Sequence, residues 1–291
     1  MFHKILKPMV LKEVEKPFND DNYLYELKFD GIRALLYVSK DTFQLITRNG
    51  NDVSSIYPEL RSIQKIVGKR EVIFDGELVA FSNGNPSFSS LGKRSHLKNT
   101  SKIEDMIEDV PVTYVVFDIL YQDKDITSLS LVKRKELLNE YPDTDVFVKS
   151  VIYQDGIHLF SAVQKKGLEG IVAKLKNSIY IPGARVDSWL KIKNFKHEEF
   201  FIHGYLKMKE KYSLLLGEYR NQKLYYVGKV SITEKNPILE KLLNSLESKN
   251  IFENYQRAAN YIKPIHKINV QYMERTLDNY LRQPFVSNKK A

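Results

Sequence analysis

Cysteine is absent from this 291-residue chain. Disulfides are thereby excluded, and so is any zinc site built on thiolates. No apolar run approaches the ~20 residues needed to span a bilayer. The amino terminus, Met1 to Lys7, has neither an extended apolar core nor a small-residue cleavage site. Internal repeats, low-complexity tracts and massed charged tails are missing as well. The expectation is a soluble, intracellular (cytoplasmic) globular protein, long enough for two domains of about 150 residues each.

Positive charge is in excess and unevenly placed. The net charge is +9; residues 194 to 291 hold 17 Lys+Arg against 10 Asp+Glu, and residues 1 to 193 hold 28 against 26. A basic smaller part beside a nearly neutral larger one points to a polyanionic partner. The pattern also changes near Asn194 to His197. Before it, runs such as 71–81 and 112–121 are rich in β-branched and aromatic residues, as buried strands are, and 131–141 and 159–166 suit helices. Residues 90 to 109 read as short helices. After the change come three strand-like runs, 199–208, 212–219 and 223–230. A helix is expected over 236–248 and a last strand over 269–274. Short strands with one helix fit a small barrel.

The most informative residue is Lys28, in Glu26-Leu27-Lys28-Phe29-Asp30-Gly31-Ile32-Arg33. A lysine attacks phosphorus only as the neutral amine, and apolar neighbours or a nearby cation favour that form. Residues 22–27 and 32–38 read as strands, and Asp30-Gly31 between them is a hairpin signal.

Lys-x-Asp-Gly-x-Arg resembles the first motif of the covalent nucleotidyltransferases, in which the lysine forms a phosphoramidate with a nucleoside monophosphate. Further segments repeat the resemblance in order: Thr47-Arg48-Asn49-Gly50, Asp75-Gly76-Glu77-Leu78-Val79, Tyr114 to Leu120, Glu169-Gly170-Ile171-Val172-Ala173-Lys174 and Trp189-Leu190-Lys191-Ile192-Lys193. Lys7-Pro8-Met9, Glu26, the run Ser130 to Lys135 and the stretch Tyr180 to Arg185 bring it closest to ATP-dependent DNA ligases, especially the ligase modules of bacterial end-joining enzymes and small bacterial and phage ligases. Absence of cysteine agrees with ATP as donor, since NAD-dependent ligases usually carry a four-cysteine zinc module.

The resemblance implies an α+β chain: a nucleotidyltransferase (ATP-grasp-like, DNA ligase adenylation) domain over 1–195, then an OB-fold β-barrel domain over 196–291. It implies ATP and Mg²⁺ as cofactors, and a monomer acting on nicked double-stranded DNA. Lys28 would be the nucleophile that carries AMP. Glu26 would receive the adenine amine and Phe117 would stack on the base. Glu77 would contact ribose and, with Glu169, hold the metal. Arg33, Arg48 and Lys174 would complete the nucleotide contacts. Lys191 and Lys193, two apart on a strand and so on one face, would clamp phosphate. Arg282, in Leu281-Arg282-Gln283-Pro284-Phe285 ahead of Lys289 and Lys290, is the candidate contact to pyrophosphate; many ligases have an acid in this motif, and here there is none. No separate amino-terminal DNA-binding domain, polymerase or nuclease is expected. An RNA ligase, a capping-type guanylyltransferase and a non-catalytic nucleic-acid-binding module are the alternative readings.

The charge distribution makes a testable statement. Cations that neutralise DNA phosphates release counterions, so affinity falls by about 0.9 log units per contact for each tenfold rise in salt. Residues 1–196 alone should lose reaction with ATP and nearly all nick binding. A salt series of nick affinity for both chains decides it: equal affinities with equal slopes would place the DNA grip before residue 197.

Overall fold

A computed structural model of the chain describes residues 2–97, 99–276 and 278–287. Two compact units result, Met1–Asn194 and Phe195–Ala291. The first contains β1 (Val10–Glu13), β2 (Tyr23–Lys28), β3 (Ile32–Val38), β4 (Phe43–Thr47), α1 (Ile63–Val67), β5 (Val72–Ser82) and β6 (Asn85–Pro86). It continues with α2 (Phe88–Ser95), α3 (Thr100–Asp109), β7 (Val112–Gln122), α4 (Leu131–Leu138), β8 (Phe147–Lys149), α5 (Gly156–Lys166), β9 (Gly170–Leu175) and β10 (Arg185–Lys193). The second has β11 (Lys196–Met208), β12 (Lys211–Arg220), β13 (Lys223–Thr233), α6 (Ile238–Leu243), β14 (Asn260–Tyr272) and β15 (Phe285–Val286).

Two sheets build the first unit: one in the order β1-β10-β9-β2, the other β4-β3-β5-β7-β8 with β6 on β5. Period-two alternation gives the smaller sheet two different faces. Tyr25, Ile171, Ala173 and Ile192 pack on Leu159, Phe160 and Val163 of α5. That helix starts where the Asp155 carboxylate accepts from the His158 amide at 2.8 Å, a cap worth about 1 kcal/mol. The opposite face carries Glu26, Lys28, Lys174, Trp189, Lys191 and Lys193.

Asp30-Gly31 is not a hairpin turn. β2 pairs with β9, and β3 pairs with β4 and β5, so the turn carries the chain from one sheet to the other. Long-range pairing overrides the local signal here. Gly31 is required by close approach: a Cβ there would lie 2.1 Å from the Leu78 carbonyl oxygen. The helix expected over 236–248 is shorter too. Leu239 and Leu242 are buried, whereas Leu243 and Leu246 are exposed, so the apolar spacing ran beyond the face that has a partner.

The second unit is a five-stranded sheet in the order β13-β12-β11-β14-β15. Phe200, Ile202, Leu214, Leu216, Val227 and Val270 form its core. Register shifts between Ile202 and Gly204 against both neighbours mark a bulge at His203, a device that bends a sheet toward closure. No helix among the described residues is long and apolar enough to cross a membrane.

His203 is fully buried. Its Nδ1 lies 2.7 Å from the Ile262 carbonyl oxygen and its Nε2 accepts from the Ile251 amide at 3.0 Å. Both partners are satisfied only by the neutral ring with the proton on Nδ1. Burial lowers the pKa below the ordinary value of 6.5. The unfolded chain then takes up a proton that the folded one refuses, so this stability is complete above pH 6.5 and is lost as pH falls below it. Between pH 7.5 and 5 the wild type should lose more stability than His203→Gln in urea unfolding. Parallel losses would show that the ring does not titrate with unfolding.

Candidate active site

Strand register assembles the motifs. Gly170 of β9 stands between Lys28 of β2 and Lys193 of β10; Val172 stands between Glu26 and Lys191; Lys174 stands between Leu24 and Trp189. Cross-strand neighbours lie about 5 Å apart. Segments separated by more than a hundred positions thus share one face. Gly170 has φ +154°, and a Cβ there would meet the Ile192 carbonyl oxygen at 2.2 Å, so only glycine lets the strands close beside the lysine.

A cleft opens between the two sheets, lined on one side by Glu26, Lys28, Lys174 and Trp189 and on the other by Arg33, Glu77 and Phe117. Lys28 Nζ lies 2.6 Å from Glu169 Oε1, and both side chains keep some exposure. Glu77, opposite Arg33 in the β3–β5 ladder, has its pKa raised to about 8. Burial is the main cause, the charges of Glu169 and Asp75 add to it, and Lys28 and Arg33 partly oppose it.

At the inner end, Glu26 is buried between two lysines: Lys135 Nζ on Oε1 and Lys174 Nζ on Oε2, the latter at 2.8 Å. Burial alone would raise the Glu26 pKa; the two ammonium groups outweigh it and hold the carboxyl below its ordinary range. Burial pushes Lys174 down to about 8 although Glu26 opposes the shift. Lys174 Nζ sits 4.4 Å from the centroid of the Phe117 ring and 4.2 Å from that of Trp189, where the ring faces attract a cation.

Arg33 lines the cleft with its guanidinium engaged: Nε and Nη2 donate to Asp75 at 3.0 and 2.6 Å, and Nη1 to the Met9 carbonyl at 2.7 Å. Asp75 raises the Arg33 pKa despite burial. Lys191 and Lys193 converge on Glu13 Oε2 at 3.1 and 3.5 Å. Their strand is interior to its sheet; they are not surface lysines of a sheet edge. Burial would raise the Glu13 pKa, but the pair of lysines lowers it overall. Arg48 is exposed just after β4, its amide bonded to the Arg33 carbonyl, and it is not among the cleft-lining residues. Arg282 belongs to the second unit, where its Nη1 donates to Glu274 at 2.8 Å. Lys289 and Lys290 lie outside the described residues.

Two participants escaped the sequence reading. Glu13 offers no local signal in Leu11-Lys12-Glu13-Val14. Lys135 does: the buried residues of α4 are Leu131, Arg134, Lys135 and Leu138. That is the i, i+3, i+4, i+7 stripe of a core-facing helix, and two of its four places hold cations that must find buried partners.

A sequence model of the ATP dependent DNA ligase domain matches residues 4–193. The SPbeta prophage-derived DNA ligase-like protein LigB of Bacillus subtilis (strain 168) is 37% identical over 213 residues, 72% of this chain and 75% of that protein. The multifunctional non-homologous end joining DNA repair protein LigD of Mycobacterium tuberculosis (strain H37Rv) is 29% identical over 278 residues, 90% of this chain; the chain spans only 35% of that protein's length. Among solved structures, mycobacterial DNA ligase D complexed with ATP and MES is 27% identical, with a TM-score of 0.60 and coverage of 98% of this chain and 96% of that one. The family model ends within the first unit; the likeness to the ligase D structure covers 98% of the chain and agrees with a nucleotidyltransferase fold followed by an OB-type fold. With Lys28, Glu77, Phe117 and Trp189 lining one cleft and the family model matching residues 4–193, the chain belongs to the ATP-dependent DNA ligase family.

Proposed function

We propose that this enzyme seals nicks in duplex DNA through an adenylate carried on Lys28, working as an intracellular monomer. The observation that carries the reading is the ion pair of Lys28 with Glu169 at 2.6 Å, beside a cleft whose lining includes the Phe117 and Trp189 rings. In the first step Lys28 Nζ attacks the α-phosphorus of ATP: an N–P bond forms, the bond to the β-phosphate oxygen breaks and pyrophosphate leaves. Glu169 is the nearest acceptor for the proton of Lys28. The AMP then passes to the 5′-phosphate of the nick, and the 3′-hydroxyl displaces it. Splitting one condensation into activated steps is the gain of a covalent intermediate. Lys191 and Lys193 would exchange the Glu13 carboxylate for phosphate oxygens, as electrostatic stabilisation of the transfer requires. Glu26 and Phe117 would hold the adenine, and Arg33 and Lys174 would support that end of the cleft. Arg48 suits phosphate as a bidentate donor, and Arg282 the leaving pyrophosphate.

Mg²⁺ fits Glu77 and Glu169. Their donors are the carboxylate oxygens a hard cation takes, and Glu77 is held largely protonated by burial, with the charge of Glu169 adding to the shift, a cost a bound cation would relieve. The described residues contain no cluster of three acidic or histidine ligands, so the remaining ligands would be phosphate oxygens and water. When bound, the ion offsets phosphate charge.

Lys28→Ala should form no covalent adduct with labelled ATP yet still seal a pre-adenylated nick at a measurable rate, because only the last step needs no amine. An adduct on the variant would remove Lys28 from this role.

Glu77 yields a pH prediction. Folded, it keeps its proton up to about pH 8; unfolded, it gives the proton up near 4.5. The associated stability is complete below pH 4.5 and is lost as pH rises through 8. Glu77→Gln, which stays neutral, should be more stable than wild type at pH 9 by about 2 kcal/mol, a figure reduced for partial solvent access, with the gap closed at pH 5. Saturating Mg²⁺ with ATP should shrink the gap at pH 9. A gap independent of pH in thermal melts would mean that Glu77 is ionised throughout.

A further inference from the structure

Glu26 has more positive partners than neutralisation needs. Lys174 on Oε2 already balances its charge, and Lys135 adds a second buried ammonium on Oε1. A second desolvated cation costs several kcal/mol unless its bonds are good, so its presence calls for a further role. The contact comes from α4, 109 positions along the chain, and it takes the carboxylate oxygen that Lys174, set against the Phe117 and Trp189 rings, does not.

We propose that Lys135 is a specificity-determining residue for the purine of the nucleotide donor: by covering Oε1 it leaves Glu26 able to accept one amine group, which favours adenine over guanine. This rests on the reading that the base docks against Glu26 and Phe117. The pairing edge of adenine offers one exocyclic amine beside an acceptor nitrogen. A carboxylate with one oxygen in reach, next to the Lys174 ammonium as donor, complements that edge. Guanine offers two donors side by side, the ring N–H and the exocyclic amine, and a carboxylate free to turn takes both with its two oxygens. With Lys135 in place that turn is blocked. One guanine donor is then left unpaired in a buried pocket, the asymmetry that makes polar mismatches costly.

The test is covalent labelling of the full chain with α-labelled ATP and, separately, α-labelled GTP in the presence of Mg²⁺. Lys135→Met removes the charge while keeping length and bulk. Lys135→Leu, a residue type this face of α4 already carries, serves where methionine does not fold. The GTP-to-ATP labelling ratio should rise about tenfold or more, the worth of one good bidentate pair to a base edge. Lys135→Arg, able to cover the same oxygen, should keep the wild-type ratio. An unchanged ratio in both apolar variants, whatever the loss of total label, overturns the proposal and leaves Lys135 a structural ion-pair partner. Absence of label from ATP on the wild-type chain overturns the lysyl-adenylate reading itself, and this proposal with it.

Discussion

Two adjacent cations on one helix turn hold the first unit together. Arg134 of α4 bonds Asp118 of β7 through two contacts of 2.9 Å, both side chains fully buried. Its neighbour Lys135 bonds Glu26 of β2. One helix therefore ties a carboxylate in each sheet, and the cleft opens between those sheets. Removing one partner of such a pair leaves an uncompensated buried charge, at a cost of about 3–5 kcal/mol. Position is thereby fixed more firmly than apolar packing would fix it, because a buried carboxylate cannot slide away from its counter-ions without losing its compensation.

Asp75 extends the same logic. It faces Asp118 across the β5–β7 ladder, and two buried acids side by side would repel. Arg33 neutralises Asp75 while Arg134 neutralises Asp118, and the Tyr180 hydroxyl donates to Asp75 at 2.7 Å. The Met9 amide donates to that same hydroxyl at 2.9 Å, so the segment before β1 is fixed by the network too. β1 then presents Glu13 to Lys191 and Lys193. Ion pairs set the walls of the cleft, and the charges left over at and beside it, Lys28 with Glu169, Glu77 and the lysine pair on β10, are those proposed to carry the chemistry.

Chemical identity was legible from local residues. The motif lysine, Glu77 and Phe117 line one cleft, and Lys191 and Lys193 share the face of Lys28, because period-two alternation needs only neighbouring residues to predict a face. The runs at 32–38, 72–82 and 112–122 form strands for the same reason: β-branched and aromatic side chains suit a pleated, buried surface. Where local signals misled, a distant partner had taken precedence. Asp30-Gly31 reads as a hairpin because that pair turns easily, yet Lys28 pairs with Gly170 and Ile32 with Leu78. The helix after residue 236 stops once its leucines have no core left to meet.

By itself the sequence determined most of the strands, the motif residues that mark the family and the excess of positive charge after residue 193. All are properties of a residue and its near neighbours. Only the tertiary structure decided which strands pair and in what register, and hence that Lys28 meets Glu169, that Glu13 spans two lysines and that Lys135 reaches Glu26. Those partners lie far apart along the chain, and alternation says which face a side chain takes but not which distant strand lies opposite. A buried charge fixes that choice only when the fold brings its counter-ion to it.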